Sequence, residues 1–159
     1  MFDLSEKVAL VSGASRGIGA AVARTLAEFG ADVILTSRRI ENLKEVELQI
    51  KESGKKASCM ACHNGELGEI EELFNEIRQT HGSLDILVNN AATNPYYGPV
   101  IDAEEKAWDK TLSVNLKGPF FMSQHAAMLM RENEGGAIVN VSSINGNIPM
   151  RYQSIYSIT

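Results

Sequence analysis

Short apolar runs alternate with amphipathic segments along most of the chain. Five runs have the length of buried strands and are mostly rich in Val, Ile and Leu: KVALVSG, ADVILTS, KASCMAC, LDILVNN and GAIVNVSS. The segments between them repeat their apolar residues with a helical period. Apolar strands separated by helices are typical of a parallel sheet with a layer of helices on each side. The pattern therefore predicts an α/β fold with a doubly wound parallel sheet and helices on both faces.

The predicted helices end at glycines. Residues 17–30 form the first helix, and Gly30 stands where a left-handed cap is expected. Residues 40–54 and 67–82 also end in glycine and carry carboxylates on an outer face, as solvated helix surface does. The apolar face that we expect to be buried in the first helix consists of Ile18, Val22, Leu26 and Phe29.

A bend is predicted in the last helical segment, residues 107–133. Gly118 and Pro119 lie within it, and a proline removes one backbone hydrogen bond and crowds the preceding turn. We therefore expect the helix to bend near Asn115.

Composition and charge narrow the class of protein. The chain has 159 residues, a net charge of −5 and 44% hydrophobic residues, which suits a single domain over residues 1–159 with its own core. It has no basic run that could follow a nucleic-acid backbone, no signal-peptide pattern, and no apolar stretch of about 18 residues that could span a bilayer. We expect a cytoplasmic protein that does not bind nucleic acid and does not span a membrane, although a C-terminal targeting signal stays open.

The two cysteines stand in a motif that can attach c-type haem. Cys59, Cys62 and His63 have the C-x-x-C-H spacing. The surrounding segment is predicted to be a strand, in which residues three apart point to opposite faces. The two sulfur atoms could then not reach one haem, metal ion or disulfide, so two reduced core thiols and no metal site are the favoured interpretation.

A glycine loop joins the first strand to the first helix. Its spacing, G-x-x-x-G-x-G, differs from the common G-x-G-x-x-G dinucleotide motif. It still provides a tight turn, close backbone approach to a pyrophosphate and a helix N-terminus that attracts an anion. This position indicates a Rossmann-like dinucleotide site, the alternative being a purely structural turn. The loop residues expected at the cofactor are Gly13, Ser15, Arg16, Gly17, Ile18 and Gly19.

The end of the second strand indicates which dinucleotide binds. A free ribose 2′-hydroxyl is normally met by an acidic residue about twenty residues after the glycines. Ser37 stands there instead, followed by Arg38 and Arg39, and Arg16 lies in the loop. A guanidinium can pair with a 2′-phosphate through two charge-assisted hydrogen bonds, whereas a carboxylate would repel it. The sequence favours NADP(H) over NAD(H). The alternative interpretation is that these arginines are only surface charges at the start of a helix.

Several motifs together resemble a known family. SGASRGIG, LVNNAA, SVNLKG, IVNVSS and YQSIYSIT are similar in order and spacing to the motifs of short-chain dehydrogenases/reductases, from Lys7 onward. HNGE, NNAATNPYYGPV and AWDKTLSVN resemble the NADP-dependent branch that reduces carbonyl compounds and retinal. The resemblance implies an oxidoreductase that interconverts a small alcohol and a ketone or aldehyde. It also implies that the full-length protein is a homo-oligomer.

The resemblance implies three chemical residues. Tyr156 matches the tyrosine that exchanges a proton with the substrate oxygen. Ser143, thirteen residues earlier, matches the serine that holds this oxygen beside the tyrosine. Asn115 matches the asparagine whose backbone carbonyl holds a water of the proton relay.

Further positions are expected at the cofactor or substrate. Asn90 matches a residue that lines the cofactor, and Ala92 replaces a common glycine. His63 stands where the family often has an aspartate that contacts adenine; with Asn64 it either lines the adenine pocket or is a plain strand-end histidine. The near wall of the substrate pocket is expected at Thr93, Asn94, Tyr152 and Gln153.

The family's motif Y-x-x-x-K continues one position past Thr159. In the family this lysine cation stabilises the tyrosine phenolate, and the sheet continues with two more strands. We therefore expect a domain that is incomplete at its C-terminus, lacks the C-terminal strands and helices, exposes strand five as an apolar edge and is inactive by itself. The alternative is a catalytically silent nucleotide-binding or interaction fragment that needs a partner or its missing part.

Overall fold

A computed structural model describes residues 2–133 and 135–159. Five parallel strands form one sheet in the order β3-β2-β1-β4-β5. The strands are β1 Val8–Ser12, β2 Asp32–Ser37, β3 Ala57–Ala61, β4 Ile86–Asn89 and β5 Ala137–Asn140. The chain builds outward from β1 to β3 and then crosses to the other side of β1, which confirms the predicted Rossmann-like topology.

Helices cover both faces of this sheet, as predicted. They are α1 Gly17–Glu28, α2 Lys44–Glu52, α3 Leu67–Thr80, α4 Glu105–Leu112 and α5 Gly118–Glu132. One core contains α1 and α2 with Ala9 and Val11 of β1, and the other contains α3 and α5 with Val8 and Leu10. Short 3-10 segments lie at Ile40–Leu43, Val100–Asp102, Ile144–Gly146 and Tyr156–Ile158.

The buried face of α1 differs from the predicted one. Ile18 is 63% exposed and Phe29 is 38% exposed, so the prediction was wrong for these two residues, while Val22 and Leu26 pack partly against the core. The residues of α1 that are buried are Gly19, Ala20, Ala23 and Ala27. A Cβ on Gly19 would lie 2.5 Å from Asn90 Nδ2, so the helix lies too close to its neighbours for large side chains on this face.

A π-helical segment, Ser113–Lys117, joins α4 to α5. Pro119 in the first turn of α5 lacks an N–H, and the wider π turn directly precedes it. The bend predicted near Asn115 corresponds to this segment, which is centred on that residue.

Cys59 and Cys62 are free thiols on opposite faces of the sheet, as predicted. Cys59 is half-buried against the core of α1 and α2, and Cys62 is buried in the core of α3 and α5. Burial raises the pKa of each thiol to about 12, and the charges of Glu47 on Cys59 and Glu69 on Cys62 act in the same direction. Both are therefore poor nucleophiles, and they cannot serve one haem.

β5 forms one edge of the sheet. It pairs with β4, and all four of its residues are exposed. Within the described part of the chain no helix is suited to crossing a bilayer. Residues 2–133 and 135–159 also contain no group of three or more His, Cys, Asp or Glu side chains placed to hold a metal ion.

Candidate active site

The site lies at the carboxyl ends of β1 and β4, where the order of the strands reverses. In sheets of this type the two chain connections leave in opposite directions at this point and open a crevice between them. Every residue predicted to bind cofactor or to act chemically lies along this crevice.

The glycine loop is packed tightly against the end of β4. Gly13 has a φ of +67°, and a Cβ on it would lie 2.9 Å from both Ala91 Cα and Asn90 Nδ2. Only glycine combines this backbone conformation with this approach. The loop backbone is therefore fixed and open towards the crevice.

Hydrogen bonds hold the loop and the β4 end together. The hydroxyl of Ser12 accepts bonds from the backbone N–H groups of Asn90, at 3.0 Å, and Ala91, at 3.1 Å. The Asn90 side chain donates back to the carbonyl of Ser12, at 2.9 Å, and that of Gly13, at 3.3 Å. The sequence predicted Asn90 at the cofactor but did not single out Ser12, the last residue of β1.

A cavity of about 400 Å³, which we call the loop cavity, begins at the glycine loop. All eleven residues predicted at the cofactor line it: Gly13, Ser15, Arg16, Gly17, Ile18, Gly19, Ser37, Arg38, His63, Asn64 and Asn90. Six residues that were not assigned to the cofactor complete its wall: Cys62, Ala91, Ala92, Thr93, Lys110 and Val114.

A polar groove of about 750 Å³ opens beside the loop cavity and shares residues with it. This arginine groove is lined by Ser15, Arg16, Ser37, Arg38, Arg39, Glu41, Asn42 and Glu45. The hydroxyl of Ser37 donates to the carbonyl of Arg39, at 2.9 Å, and fixes the turn after β2. Three guanidinium groups face two carboxylates, so the groove has a net positive charge and can bind an anion.

The far end of the loop cavity is formed by the residues after β3. His63 Nδ1 accepts the backbone N–H of Gly65 at 2.9 Å, and its Nε2 lies 2.6 Å from Lys110 Nζ. Asn64 is buried, and its Nδ2 has no hydrogen-bond partner among the described residues. His63 is therefore part of a polar cluster on the cavity wall and not an isolated strand-end residue.

A second cavity, of about 390 Å³, contains the three predicted chemical residues Asn115, Ser143 and Tyr156, and we call it the tyrosine cavity. It shares Ala91 and Ala92 with the loop cavity, so the two cavities adjoin. A ligand in one could reach a group held in the other.

The Asn115 side chain connects three segments around the tyrosine cavity. Its Oδ1 accepts the backbone N–H of Thr93 at 2.8 Å, and its Nδ2 donates to the Thr93 carbonyl at 2.9 Å. The same Nδ2 donates to Thr159 Oγ1 at 3.2 Å, which in turn donates to the Tyr156 carbonyl at 3.0 Å. The π-helical segment thereby positions the turn that carries Tyr156.

The other predicted residues are placed differently. Ser143 Oγ accepts the backbone N–H of Asn145 at 3.3 Å and lies just after β5. Of the four residues expected on the substrate wall, Thr93 lines the loop cavity and none lines the tyrosine cavity. Instead, Asn94 Nδ2 donates a hydrogen bond to Gln153 Oε1 at 3.4 Å. The same oxygen accepts a second hydrogen bond, from Asn145 Nδ2, at 2.6 Å.

Comparisons with known proteins agree with this geometry. The chain matches the short chain dehydrogenase family over residues 7–159. The dehydrogenase/reductase SDR family member 4 of Homo sapiens is 38% identical over 156 residues, which are 98% of this chain and 56% of that protein. The chain thus spans little more than half the length of the curated relatives that it matches.

Solved structures with bound cofactor are also similar. A metagenomic short-chain oxidoreductase in complex with NADP has a TM-score of 0.94 and 39% identity, covering 98% of this chain and 70% of its own. NAD+-bound xylitol dehydrogenase has a TM-score of 0.93 and 28% identity, covering 98% of this chain and 60% of its own. The sheet order, the glycine loop and the match over almost the whole sequence show that the chain belongs to the short-chain dehydrogenase family of oxidoreductases, whose cofactors are nicotinamide dinucleotides.

Proposed function

We propose that the protein is an NADP(H)-dependent oxidoreductase that interconverts a small alcohol and the corresponding ketone or aldehyde. The observation that carries the proposal is the adjacency of two cavities. The loop cavity is lined by all the residues expected at a dinucleotide, and the tyrosine cavity by Asn115, Ser143 and Tyr156. Reaction between a cofactor and a substrate requires this kind of contact between their sites.

The residues of the loop cavity fit a dinucleotide. Gly13 and Gly19 leave backbone free where any side chain would overlap Asn90, and the α1 N-terminus directly follows, so a pyrophosphate can approach its N–H groups. Asn64 also lines this cavity, and its buried amide Nδ2 has no hydrogen-bond partner among residues 2–133 and 135–159.

The arginine groove supports NADP(H) over NAD(H). Arg16 and Arg38 line both this groove and the loop cavity, so they can hold a phosphate attached to the adenine ribose. The last residue of β2, at the position where a carboxylate would bind a free 2′-hydroxyl, is Ser37. Of the two cofactor-bound structures compared above, the NADP complex also has the higher sequence identity.

The protein's own residues act on the substrate oxygen and its proton. When bound, the nicotinamide gives a hydride to the carbonyl carbon or takes one from the alcohol carbon. The Tyr156 hydroxyl donates a proton to the substrate oxygen during reduction and accepts it during oxidation. The Ser143 hydroxyl lines the same cavity and can donate a hydrogen bond to that oxygen. Asn115 holds the turn of Tyr156 in place through Thr159.

The test is turnover of NADPH by the full-length protein with a panel of ketones and aldehydes. Tyr156→Phe removes the proton donor, so we expect turnover to fall by about 100-fold or more, the usual contribution of a general acid. The affinity for NADP+, measured by calorimetry, should stay within about threefold of wild type because Tyr156 lies outside the loop cavity.

Tyr97→Phe is the matched control, since Tyr97 is exposed and lines neither cavity. It should retain wild-type turnover. Full activity in Tyr156→Phe would contradict the proposed role of Tyr156. Binding of NADP+ without turnover of any carbonyl would instead indicate a silent nucleotide-binding module.

A further inference from the structure

Gln153 connects the loop that carries Ser143 to the turn that carries Tyr156. Its side-chain Oε1 accepts a hydrogen bond from Asn145 Nδ2 at 2.6 Å, and its backbone carbonyl accepts the N–H of Ser157 at 2.9 Å. Gln153 itself lines neither the loop cavity nor the tyrosine cavity. Any effect of Gln153 on the reaction is therefore expected to pass through the residues that it holds.

Asn145 determines the direction of the Ser143 hydroxyl. The backbone N–H of Asn145 donates to Ser143 Oγ at 3.3 Å. A serine hydroxyl has one proton to donate and two lone pairs that accept. Because Asn145 occupies a lone pair, the hydroxyl proton points away from it and is available to an acceptor in the tyrosine cavity, which Ser143 lines. The carbonyl oxygen of a substrate is an acceptor of this kind.

The position of Asn145 depends in turn on the Gln153 side chain. Asn145 is 5% exposed, and the bond from its Nδ2 to Gln153 Oε1 is short, at 2.6 Å. On the other side, Ser157 Oγ donates to the Gln153 carbonyl at 2.7 Å, beside the bond from its own N–H. Tyr156 directly precedes Ser157. The side chain of Gln153 thus holds the loop of Ser143, and its backbone holds the turn of Tyr156.

Contacts with the loop after β4 fix the chain just before Gln153. Tyr152 has a φ of +67°, a conformation that is costly for a bulky residue and persists only where neighbours hold it. Its carbonyl accepts the N–H of Gly98 at 3.0 Å, and its ring lies edge-on to Tyr97, with the ring centroids 5.8 Å apart. Asn94 Nδ2 also donates to Gln153 Oε1, at 3.4 Å. The place of Gln153 is therefore defined from a third segment of the chain.

We propose that Gln153 is a positioning residue that sets the spacing between the Ser143 and Tyr156 hydroxyls. The inference rests on the proposed oxidoreductase function and adds a residue that aligns its two hydroxyl groups. Reduction needs Ser143 to hold the carbonyl oxygen while Tyr156 donates a proton to the same atom. A displacement of about 1 Å in such a site can cost on the order of 100-fold in rate. The Asn145–Gln153 hydrogen bond keeps the two hydroxyls within reach of one oxygen.

The test measures kcat for reduction of a reactive ketone or aldehyde by NADPH in the full-length protein. Gln153→Leu has no acceptor for Asn145, whereas Gln153→Glu has the same length as glutamine and accepts hydrogen bonds with both oxygens. Gln79→Leu is the matched control, since Gln79 is exposed on α3 and lines neither cavity. The dissociation constant for NADP+, measured by calorimetry, reports whether each variant is folded.

We expect Gln153→Leu to lower kcat by about tenfold or more, because the Ser143 loop loses its link to the Tyr156 turn. Affinity for NADP+ should stay within about threefold of wild type, because the loop cavity is unchanged. Gln153→Glu should keep kcat within about threefold, since its carboxylate accepts the bond from Asn145. If Gln153→Leu does not fold, Gln153→Asn replaces it, because its amide ends one methylene short of Asn145.

A double-mutant cycle with Ser143→Ala distinguishes positioning from a general structural role. The substitution Gln153→Leu leaves the backbone bonds to Ser157 in place and removes the link to the Ser143 loop. In the Ser143→Ala background the positioned hydroxyl is absent, so Gln153→Leu should lower kcat by less than about twofold further. A residue that merely stabilises the fold would lower kcat by the same factor in both backgrounds.

Two results would overturn the inference while leaving the proposed function intact. One is an effect of Gln153→Leu on kcat below about twofold. The other is an equal loss of kcat with and without the Ser143 hydroxyl. Failure of the wild-type protein to reduce any carbonyl with NADPH would overturn the proposed function and the inference together.

Discussion

Single residues connect distant parts of the chain at this site. Ser12 joins the end of β1 to the end of β4, and Asn115 joins the segment after β4 to the turn of Tyr156. Because Ser12 and Asn90 are 78 residues apart, their pairing depends on the assembled sheet. The sequence predicted Asn90 and Asn115 from motif resemblance, but Ser12 has no local pattern that separates it from other strand-end serines.

Lys110 lines the loop cavity and was not predicted there. It was read only as part of a segment resembling a family motif, and it meets His63, 47 residues earlier, through tertiary packing. Periodicity along α4 indicates which residues are exposed but cannot show that one of them faces a cavity formed by β3. Local sequence patterns therefore found the glycine-loop side of the loop cavity more completely than the side to which α4 contributes.

The arginine groove predicts a cofactor preference that one substitution should change. Arg38→Gln removes a guanidinium shared by the groove and the loop cavity. We expect the dissociation constant for NADP+ to rise by about tenfold or more, because a charge-assisted pair with the 2′-phosphate is lost. Binding of NAD+, which lacks this phosphate, should change by less than about threefold. Fluorescence titration with both cofactors measures the two constants.

Arg131→Gln is the control for this experiment, since Arg131 is exposed on α5 and lines neither the groove nor the loop cavity. Equal weakening of NADP+ and NAD+ by Arg38→Gln would show that Arg38 does not bind the 2′-phosphate.

At the scale of elements, the size of the side chains determines which face of α1 is buried, and hydrophobicity alone does not predict that face. The five strands, the helices between them and the glycine ends were predictable because their periods and caps are local. Gly30, Gly54 and Gly82 all adopt positive φ at the ends of helices, as predicted. The face of α1 was mispredicted because its small residues, not its large ones, allow it to approach Asn90 and the glycine loop.

Close packing also makes Gly118 a sensitive position. A Cβ there would overlap the carbonyl of Asn64 and lie 3.2 Å from the carbonyl of Ser113. We expect Gly118→Ala to lower the free energy of unfolding by about 1–3 kcal/mol, as overpacking does. Gly68→Ala, in the first turn of α3 with no atom within 4 Å of the added Cβ, should leave stability unchanged or raise it by up to about 1 kcal/mol. Urea unfolding compares the two, and similar losses would contradict the packing explanation.

An ion-pair cluster ties α2 to β3. Glu47 is buried and accepts hydrogen bonds from Lys51 at 2.7 Å and Lys44 at 2.9 Å. Burial by itself would raise the pKa of Glu47, but the hydrogen bonds from Lys51, Lys44 and the Cys59 thiol lower this pKa from 4.5 to about 2. The charged carboxylate is therefore more stable in the folded state than in the unfolded chain.

This difference predicts a pH dependence of stability. Glu47 contributes stability above its unfolded pKa of 4.5, and the contribution is lost as the pH falls towards about 2. We expect the difference in unfolding free energy between the wild type and Glu47→Gln to shrink over this range. Urea unfolding at several pH values measures it, with Glu52→Gln, an exposed carboxylate on α2, as the control. A difference that stays constant with pH would rule out the proposed coupling.

For the molecule as a whole, β5 leaves an apolar edge exposed. Val139 is 49% exposed, and Ile138 and Val141 beside it are also exposed. An open edge of this composition is a template for pairing with another chain. We expect the 159-residue chain to associate in a concentration-dependent way and Val139→Lys to shift it towards the monomer, as measured by light scattering. Association that Val139→Lys does not change would place the contact elsewhere.

A second apolar surface could join copies of the chain in a homo-oligomer. The helical surface of α4, the π-helical segment and α5 exposes Trp108, Leu116, Phe120 and Met128. Light scattering of Phe120→Lys beside Val139→Lys separates association through this helical surface from association through β5.

The measurement that tests the central claim most directly is the transfer of a label from the cofactor. The full-length protein is given NADPH deuterated at both C4 positions of the nicotinamide together with a reactive ketone or aldehyde, and the alcohol product is analysed by mass spectrometry. We predict one deuterium on the carbon that bears the new hydroxyl, much less transfer from equally labelled NADH, and loss of transfer in Tyr156→Phe. Consumption of NADPH without deuterium in any alcohol, or undiminished transfer in Tyr156→Phe, would contradict the account.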